Sequence, residues 1–188
     1  MAAKQPRPQV DPPIHALFEK LGVNIAEAAA AEVTIFAYSV KIVCGRQTDA
    51  SCCCVAGVRP GVYATEVNIQ NLNLVQAPVL KFVQPLIHLG VVLAREPDVT
   101  DPTKLPKRQV EEIILPPLAA TMDDCCKIAE MLPPPSGETP LTIAILSIVS
   151  PVELSVSAVY TANPLSGDGI SIDVEYIPSR RLLVGSAG

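Results

Sequence analysis

The stretch Ile170-Ser171-Ile172-Asp173-Val174-Glu175-Tyr176 indicates the fold class of this 188-residue chain. Apolar and polar side chains alternate along it, which is the period-2 pattern of an extended strand with its apolar residues on one face. The turn sequence Ser-Gly-Asp-Gly at residues 166–169 comes directly before it, as expected where one strand ends and another begins. The stretch therefore predicts a short β-strand bounded by a turn.

Strand-like segments of this kind recur along the chain. They are short, rich in β-branched and aromatic residues, and separated by turn-forming Pro, Gly, Asp and Ser. They cover residues 33–43, 62–69, 79–87, 90–95, 109–115, 141–149, 152–162 and 170–177. About eight short strands with polar turns predict a mainly β protein, built as an antiparallel β-sandwich with a jelly-roll-like path.

Residues 1–31 differ from the rest of the chain and are predicted to form a separate N-terminal unit. Residues 1–13 contain four prolines, and X-Pro steps favour extended or polyproline II geometry, so we interpret them as an arm. A short amphipathic helix is predicted to follow, with its apolar side chains at Ile14, Leu17, Phe18 and Leu21. The β-sandwich domain is assigned to residues 32–188.

One internal helix is predicted at residues 122–132, between two strand segments. Thr121, with Asp124 three residues later, has the spacing of a capping box, and Pro133 ends the helix. The carboxylates of Asp123 and Asp124 would then lie in the first turn and interact with the helix dipole. One face of this helix would carry Cys125, Ile128, Ala129 and Leu132.

The overall composition favours a folded protein that does not bind nucleic acid. Apolar residues make up 49% of the chain, charged residues 18%, and the net charge is −5. No apolar stretch approaches the ~20 residues of a membrane-spanning helix, so no membrane span is expected. The N-terminus lacks the apolar region of a signal peptide. The location is therefore either cytoplasmic by default or a surface reached by a non-classical export route.

Six cysteines are the most distinctive feature of the composition: Cys44, Cys52, Cys53, Cys54, Cys125 and Cys126. Side chains of adjacent residues diverge, so adjacent cysteines rarely bond to each other and each cluster needs partners elsewhere. Three interpretations stay open: disulfides between the clusters or between subunits, a thiolate metal site, or buried free thiols. Zinc or copper would be bound by Cys52, Cys53, Cys54, Cys125 and Cys126, although the Cys-x-x-Cys spacing typical of zinc sites is missing.

Other candidate chemical groups fit no motif that we recognise. His15 and His88 lie beside apolar residues, and neither has the spacing of a nucleophile or metal motif. Glu66 is an isolated carboxylate. The acidic group Glu96, Asp98 and Asp101 lacks EF-hand spacing and is interpreted as a solvated loop, with calcium as the alternative. We therefore expect no enzymatic activity.

Four segments resemble an uncharacterised family of bacterial β-sandwich proteins. The resemblance spans roughly residues 44–181, and its most specific part is Met122-Asp-Asp-Cys-Cys126. It implies a shared fold and no particular activity. The segments are Tyr63-Ala-Thr-Glu-Val-Asn-Ile69, Ala120-Thr-Met-Asp-Asp-Cys-Cys-Lys-Ile-Ala-Glu130, Ser150-Pro-Val-Glu-Leu-Ser-Val-Ser-Ala-Val-Tyr-Thr161 and Ile170-Ser-Ile-Asp-Val-Glu-Tyr176.

The plan of the chain is also similar to that of bacterial spore-appendage subunits, which assemble by arm exchange and intersubunit disulfides. The similarity concerns the leading arm, the β-sandwich and the clustered cysteines, and no sequence motif is shared. The hypothesis that follows is a structural, self-associating subunit, a homo-oligomer joined through its arm, its strand edges and its disulfides. The alternative is a metal-binding or redox-responsive protein that uses the clustered thiols.

Overall fold

A computed structural model describes residues 33–48, 59–88, 90–92, 110–132, 141–166 and 169–184. The N-terminal arm and helix predicted within residues 1–31 lie outside the described residues, as do Cys52, Cys53 and Cys54. Ten strands and one helix occupy the described part of the chain. They are β1 (Val33–Gln47), β2 (Gly61–Gln70), β3 (Ala77–His88), β4 (Val91–Val92), β5 (Glu111–Leu115), β6 (Ala120–Asp123), α1 (Cys125–Met131), β7 (Thr142–Ser150), β8 (Ser155–Asn163), β9 (Ser171–Tyr176) and β10 (Arg180–Val184).

All the strand pairs described are antiparallel. The main path runs β4-β3-β7-β1-β2-β8-β9, while β10 pairs with β1, β5 with β3 and β6 with β2. Strand β1 divides this network into two halves. As far as Cys44 it pairs with β7 and β10, and from Gly45 to Gln47 it pairs with β2.

Gly45 marks the point where β1 passes from one half to the other. Its φ of 104° lies in the region that favours glycine. Two residues before it, Val43 exchanges two hydrogen bonds with the Thr65 hydroxyl: Val43 N donates at 3.0 Å, and the hydroxyl donates to Val43 O at 3.1 Å. The Thr65 side chain therefore takes the place of a strand partner where the β1–β2 ladder ends.

Both halves of the network bury side chains in one core, so they pack as the two layers of a sandwich. Full burial of a Val, Leu, Ile or Met side chain stabilises a fold by about 1.5–3 kcal/mol. The core includes Val79, Val83, Leu146 and Ile148 from the half with β3 and β7, Val67, Ile69, Val156 and Ala158 from the half with β2 and β8, and Ile128 and Met131 from α1.

These observations confirm the prediction of a mainly β, antiparallel fold with one short internal helix. The jelly-roll-like path stays a prediction. Seven of the eight predicted strand segments correspond closely to described strands, and the segment predicted at residues 90–95 is described as strand only at Val91–Val92. The ladders add two strands that were not predicted, β6 and β10.

The predicted start of the helix is wrong. Thr121, Met122 and Asp123 belong to β6, because they pair with β2. Asp124 is the N-cap, and its Oδ1 accepts a hydrogen bond from Lys127 N at 2.9 Å. The predicted buried face needs the same correction, since Ala129 is exposed.

Candidate functional site

Strand β9 is exposed along its whole length. All six of its residues are exposed on both faces, and Ile172, Val174 and Tyr176 keep 60%, 65% and 65% of their surface accessible. In the described part of the chain β9 pairs only with β8. A fully exposed strand at the end of a sheet is unusual, because edge strands present unpaired backbone groups to solvent.

The register with β8 fixes which side chains share a face. Ile172, Val174 and Tyr176 lie opposite Thr161, Val159 and Ser157 of β8. Asp173 and Glu175 lie opposite Tyr160 and Ala158, on the face that β8 turns toward the core. The apolar side of β9 therefore faces solvent, and its acidic side lies at the rim of the core.

The acidic side of β9 interacts with Tyr160 of β8. The Tyr160 hydroxyl donates a hydrogen bond to Glu175 Oε2 at 3.2 Å. Burial, followed by the charges of Glu175 and Asp173 and this hydrogen bond, raises the pKa of Tyr160 to about 12. The phenol therefore stays protonated at neutral pH and continues to donate to Glu175.

One hydrogen bond shows which backbone groups of β9 face the open edge. Ile177 N donates to Val156 O of β8 at 2.9 Å, so Ile177 points its backbone groups toward β8. Backbone groups alternate in direction along a strand, as side chains do. Ile172, Val174 and Tyr176 therefore present their N–H and C=O groups to the open edge.

A disulfide joins β1 to α1. Cys44 and Cys125 are bonded across a sequence separation of 81 residues. Thr65 N lies 3.4 Å from the Cys125 sulfur, at a position of β2 between the β1 ladder, which ends at Tyr63, and the β6 ladder, which begins at Val67. The disulfide therefore lies over the gap between these two ladders.

This pairing resolves part of the cysteine hypothesis. A disulfide is present, and it links Cys44 to one member of the second cluster within a single chain. Cys126, the neighbour of Cys125, is an exposed free thiol. The first cluster lies outside the described residues, so links from it to other cysteines stay a prediction.

A buried ion-pair network connects the two layers of the sandwich. Lys81 of β3, 2% exposed, lies 2.7 Å from Asp123 of β6, 1% exposed, and 2.8 Å from Glu111 of β5. Glu111 also pairs with Lys127 of α1 at 2.6 Å. Burial alone would raise the pKa of Glu111, but its contacts with Lys127 and Lys81 outweigh that effect and lower it.

Sequence reasoning missed this network. It assigned Asp123 to the first turn of the helix, whereas the side chain is buried against Lys81. One sequence signal was available: Lys81 stands inside the apolar run Val79-Leu-Lys-Phe-Val83. A buried lysine in such a position requires a carboxylate partner.

A second exposed apolar group lies at one end of the sandwich, and it too was not predicted. Buried Asn71 holds two loops side by side, because its amide nitrogen donates to Val75 O at 2.8 Å and to Pro116 O at 3.0 Å. Leu74 in the first loop is 82% exposed. Leu118 in the second loop is also exposed and has a φ of 59°, which is rare for leucine.

The remaining predicted site residues are not assembled into a catalytic site within the described residues. His88 lies with Nδ1 3.4 Å from the Thr142 hydroxyl, and burial lowers its pKa. Glu66 accepts a hydrogen bond from Asn68 at 3.0 Å. Asp124 serves as the helix cap. His15 and the acidic residues Glu96, Asp98 and Asp101 lie outside the described residues.

Among the described residues, no three His, Cys, Asp or Glu side chains are grouped so that they could hold a metal ion. The described part of the chain also contains no helix that is long and apolar enough to cross a membrane.

Comparisons with known proteins add little to this geometry. No protein-family model matches the chain, and no curated protein matches it significantly. A solved crystal structure of Thermotoga maritima 1070 is similar to the chain with a TM-score of 0.41 and 10% sequence identity, covering 79% of this chain and 95% of that one. A similarity of this size carries no argument about fold or function.

Proposed function

We propose that this chain is a non-enzymatic structural subunit that associates with copies of itself, and that β9 is one of its contact surfaces. The observation that carries the proposal is an edge of β9 that pairs with no strand among the described residues and lies beside an exposed apolar face. Ile172, Val174 and Tyr176 supply both the unpaired backbone groups and the apolar side chains. An added strand satisfies the former and places its own side chains beside the latter.

The residues of β9 limit which strands can add to its edge. Soluble proteins protect edge strands with prolines, bulges, charges on the edge or charges that point inward. Ile172, Val174 and Tyr176 are neither charged nor proline, whereas Asp173 and Glu175 are charges on the inner face of β9. The edge therefore favours an added strand that carries the opposite charge on that face.

The N-terminal arm and the cysteines outside the Cys44–Cys125 bond extend the same proposal. A fully extended stretch of the length of residues 1–13 spans roughly 45 Å, and the proposal places it against a neighbouring subunit. Cys126 is exposed and free, so it is available for a disulfide between subunits. The same role is proposed for Cys52, Cys53 and Cys54. The Cys44–Cys125 bridge acts within one chain.

The alternative, a thiolate site for zinc or copper, is less well supported. Of its five proposed ligands, Cys52, Cys53 and Cys54 lie outside the described residues, Cys126 is a free thiol, and the Cys125 sulfur is bonded to Cys44 in this structure. A disulfide sulfur is not a thiolate ligand. A metal site would therefore require reduction of this bond, or would have to do without Cys125.

The test compares association of the wild-type chain with that of Val174→Lys. Lysine at position 174 places a charge on the apolar face and removes about 1.5 kcal/mol of apolar burial from the contact. We expect the dissociation constant to rise about tenfold or more. The measurement is molar mass by light scattering or sedimentation over a range of protein concentrations.

Leu74→Lys is the matched control, since it places the same charge on an exposed apolar residue away from β9. We expect Leu74→Lys to associate like the wild type, and both variants to melt within the usual range of surface substitutions. A wild-type chain that stays monomeric at every concentration contradicts the proposal. Equal association of wild type and Val174→Lys removes β9 from it.

A further inference from the structure

The two faces of β9 restrict what can pair with its edge. A strand added there extends an apolar face formed by Ile172, Val174 and Tyr176, and an acidic face that carries Asp173 and Glu175. The complementary strand is therefore apolar at alternate positions and basic on its other face. Like charges on opposed strands destabilise a pair, whereas opposite charges stabilise it.

A second copy of β9 does not meet this requirement. Because the edge-facing residues are Ile172, Val174 and Tyr176, antiparallel pairing of two β9 strands places these residues opposite one another. Asp173 and Glu175 of the two copies then share one face, and the registers in which the two strands overlap most oppose a carboxylate to a carboxylate. The occupant of the edge is therefore a different segment.

Within residues 4–10, the stretch Gln5-Pro-Arg-Pro-Gln-Val10 has the required alternation, and Lys4 stands at its N-terminal end. In an extended conformation Pro6, Pro8 and Val10 lie on one face, and Arg7 lies on the other. Prolines have no N–H to donate, and here they occupy positions of one parity. Gln5, Arg7 and Gln9 occupy the positions in between. They keep their N–H groups, which can donate to the C=O groups at the edge of β9.

The direction of the added strand follows from these parities. In a parallel pair, a residue that bonds to the neighbouring strand lies opposite a residue that does not bond to it, and the two side chains share a face. Parallel addition therefore places Arg7 with Asp173 and Glu175, and the prolines with Ile172 and Val174. Antiparallel addition would place Arg7 on the apolar face.

We propose that residues 4–10 of a second copy add to β9 as a parallel strand, with Arg7 opposite Asp173. The inference rests on the proposed self-association and names the segment that fills the edge. Arg7 N donates to Ile172 O, and Val174 N donates to Arg7 O. The new outer edge then carries Pro6 and Pro8, which have no N–H to donate, so no further strand adds to it.

The experiment exchanges the paired charges between two full-length variants. Arg7→Glu opposes a carboxylate to Asp173, and Asp173→Lys opposes an ammonium group to Arg7. We expect each variant alone to associate about tenfold more weakly than the wild type, because an attraction becomes a repulsion. In the mixture, the carboxylate introduced in the arm of one variant faces the ammonium group introduced on β9 of the other. Mixed complexes therefore form with affinity close to that of the wild type.

Two proline substitutions in the arm test which of its backbone N–H groups bond to β9. Gln9→Pro removes an N–H that bonds to β9, and we expect it to weaken association about tenfold. Val10→Pro removes an N–H that points away from β9 and keeps an apolar side chain, so association should stay at the wild-type level. Both positions lie in the arm, and neither substitution touches the described core.

The outcomes separate this inference from the proposed function. If the wild type associates and neither the charge exchange nor Gln9→Pro changes its affinity, the arm does not fill the edge, although self-association stands. Mixing that restores no affinity, although each variant alone is weakened, also contradicts pairing of Arg7 with Asp173 between copies. A monomeric wild type contradicts both.

Discussion

Lys81 connects the two layers of the sandwich through its ammonium group. It reaches from β3 to Asp123 of β6 at 2.7 Å, and its strand neighbour Glu111 lies at 2.8 Å. Removing charged groups from water is costly, and here each buried charge has an opposite charge in contact. The network therefore depends on all its members, because the loss of one leaves another buried and uncompensated.

We expect Lys81→Met to lower the free energy of unfolding by about 3–5 kcal/mol, since it leaves the Asp123 carboxylate buried without its cation. Urea denaturation measures the change. Lys41→Met is the matched control, since Lys41 is an exposed lysine of β1, and its effect should stay within about 0.5 kcal/mol. Equal stability of the two variants would show that Lys81 does not stabilise the fold.

Glu111 gives this network a pH dependence. Its pKa lies below the ordinary value of 4.5 in the folded chain, so its ionised form stabilises the fold. This contribution is complete above the pKa of the unfolded chain and is lost as the pH falls through the lower folded pKa. We expect Glu111→Gln to be less stable than the wild type at pH 7, with the difference shrinking below about pH 4.5.

Denaturation curves at a series of pH values measure this difference. Glu112→Gln is the matched control, because Glu112 is the exposed neighbour on the same strand. Its difference from the wild type should stay small and change little with pH. A Glu111→Gln difference that stays constant down to acidic pH would contradict the role assigned to the Glu111 charge.

The elements themselves were largely predictable, because each strand carries a local alternation. The beginning of the helix was not. Thr121 and Asp124 have the spacing of a capping box, yet Thr121 to Asp123 pair with β2, and only Asp124 caps α1. These residues form a strand because they pair with β2, which is more than 50 residues away in sequence. A local sequence pattern cannot indicate a partner at that distance.

Strand β9 marks another limit of prediction from sequence. The alternation of Ile172, Val174 and Tyr176 with Asp173 and Glu175 predicted the strand and its two faces. Which face lies toward the core depends on the register with β8, and that register is a tertiary property. The open edge of β9 therefore became visible only in the structure.

At the scale of the molecule, long-range contacts hold the two layers together. Cys44 and Cys125 are 81 residues apart, and Lys81 and Asp123 are 42 residues apart. Six cysteines allow 15 complete pairings, so sequence identified the candidates and could not choose among them. The clustering of the cysteines predicts bonds between 52–54 and 125–126 or between subunits, whereas the observed bond joins Cys125 to the isolated Cys44.

The disulfide joins the bend of β1, where the two halves of the sandwich meet, to the first turn of α1. By closing a long loop it restricts the unfolded chain, so we expect Cys44→Ser to lower the free energy of unfolding by roughly 2–5 kcal/mol. Cys125→Ser should do the same, and the double variant should cost about as much as either one, because both remove one bond. Cys126→Ser, at the exposed neighbouring thiol, should melt like the wild type.

Thermal denaturation with and without reductant measures all four variants. Reductant should lower the melting temperature of the wild type and of Cys126→Ser but not that of the other three variants. Additive losses in the double variant would mean that the two sulfurs stabilise the fold separately, not through their bond.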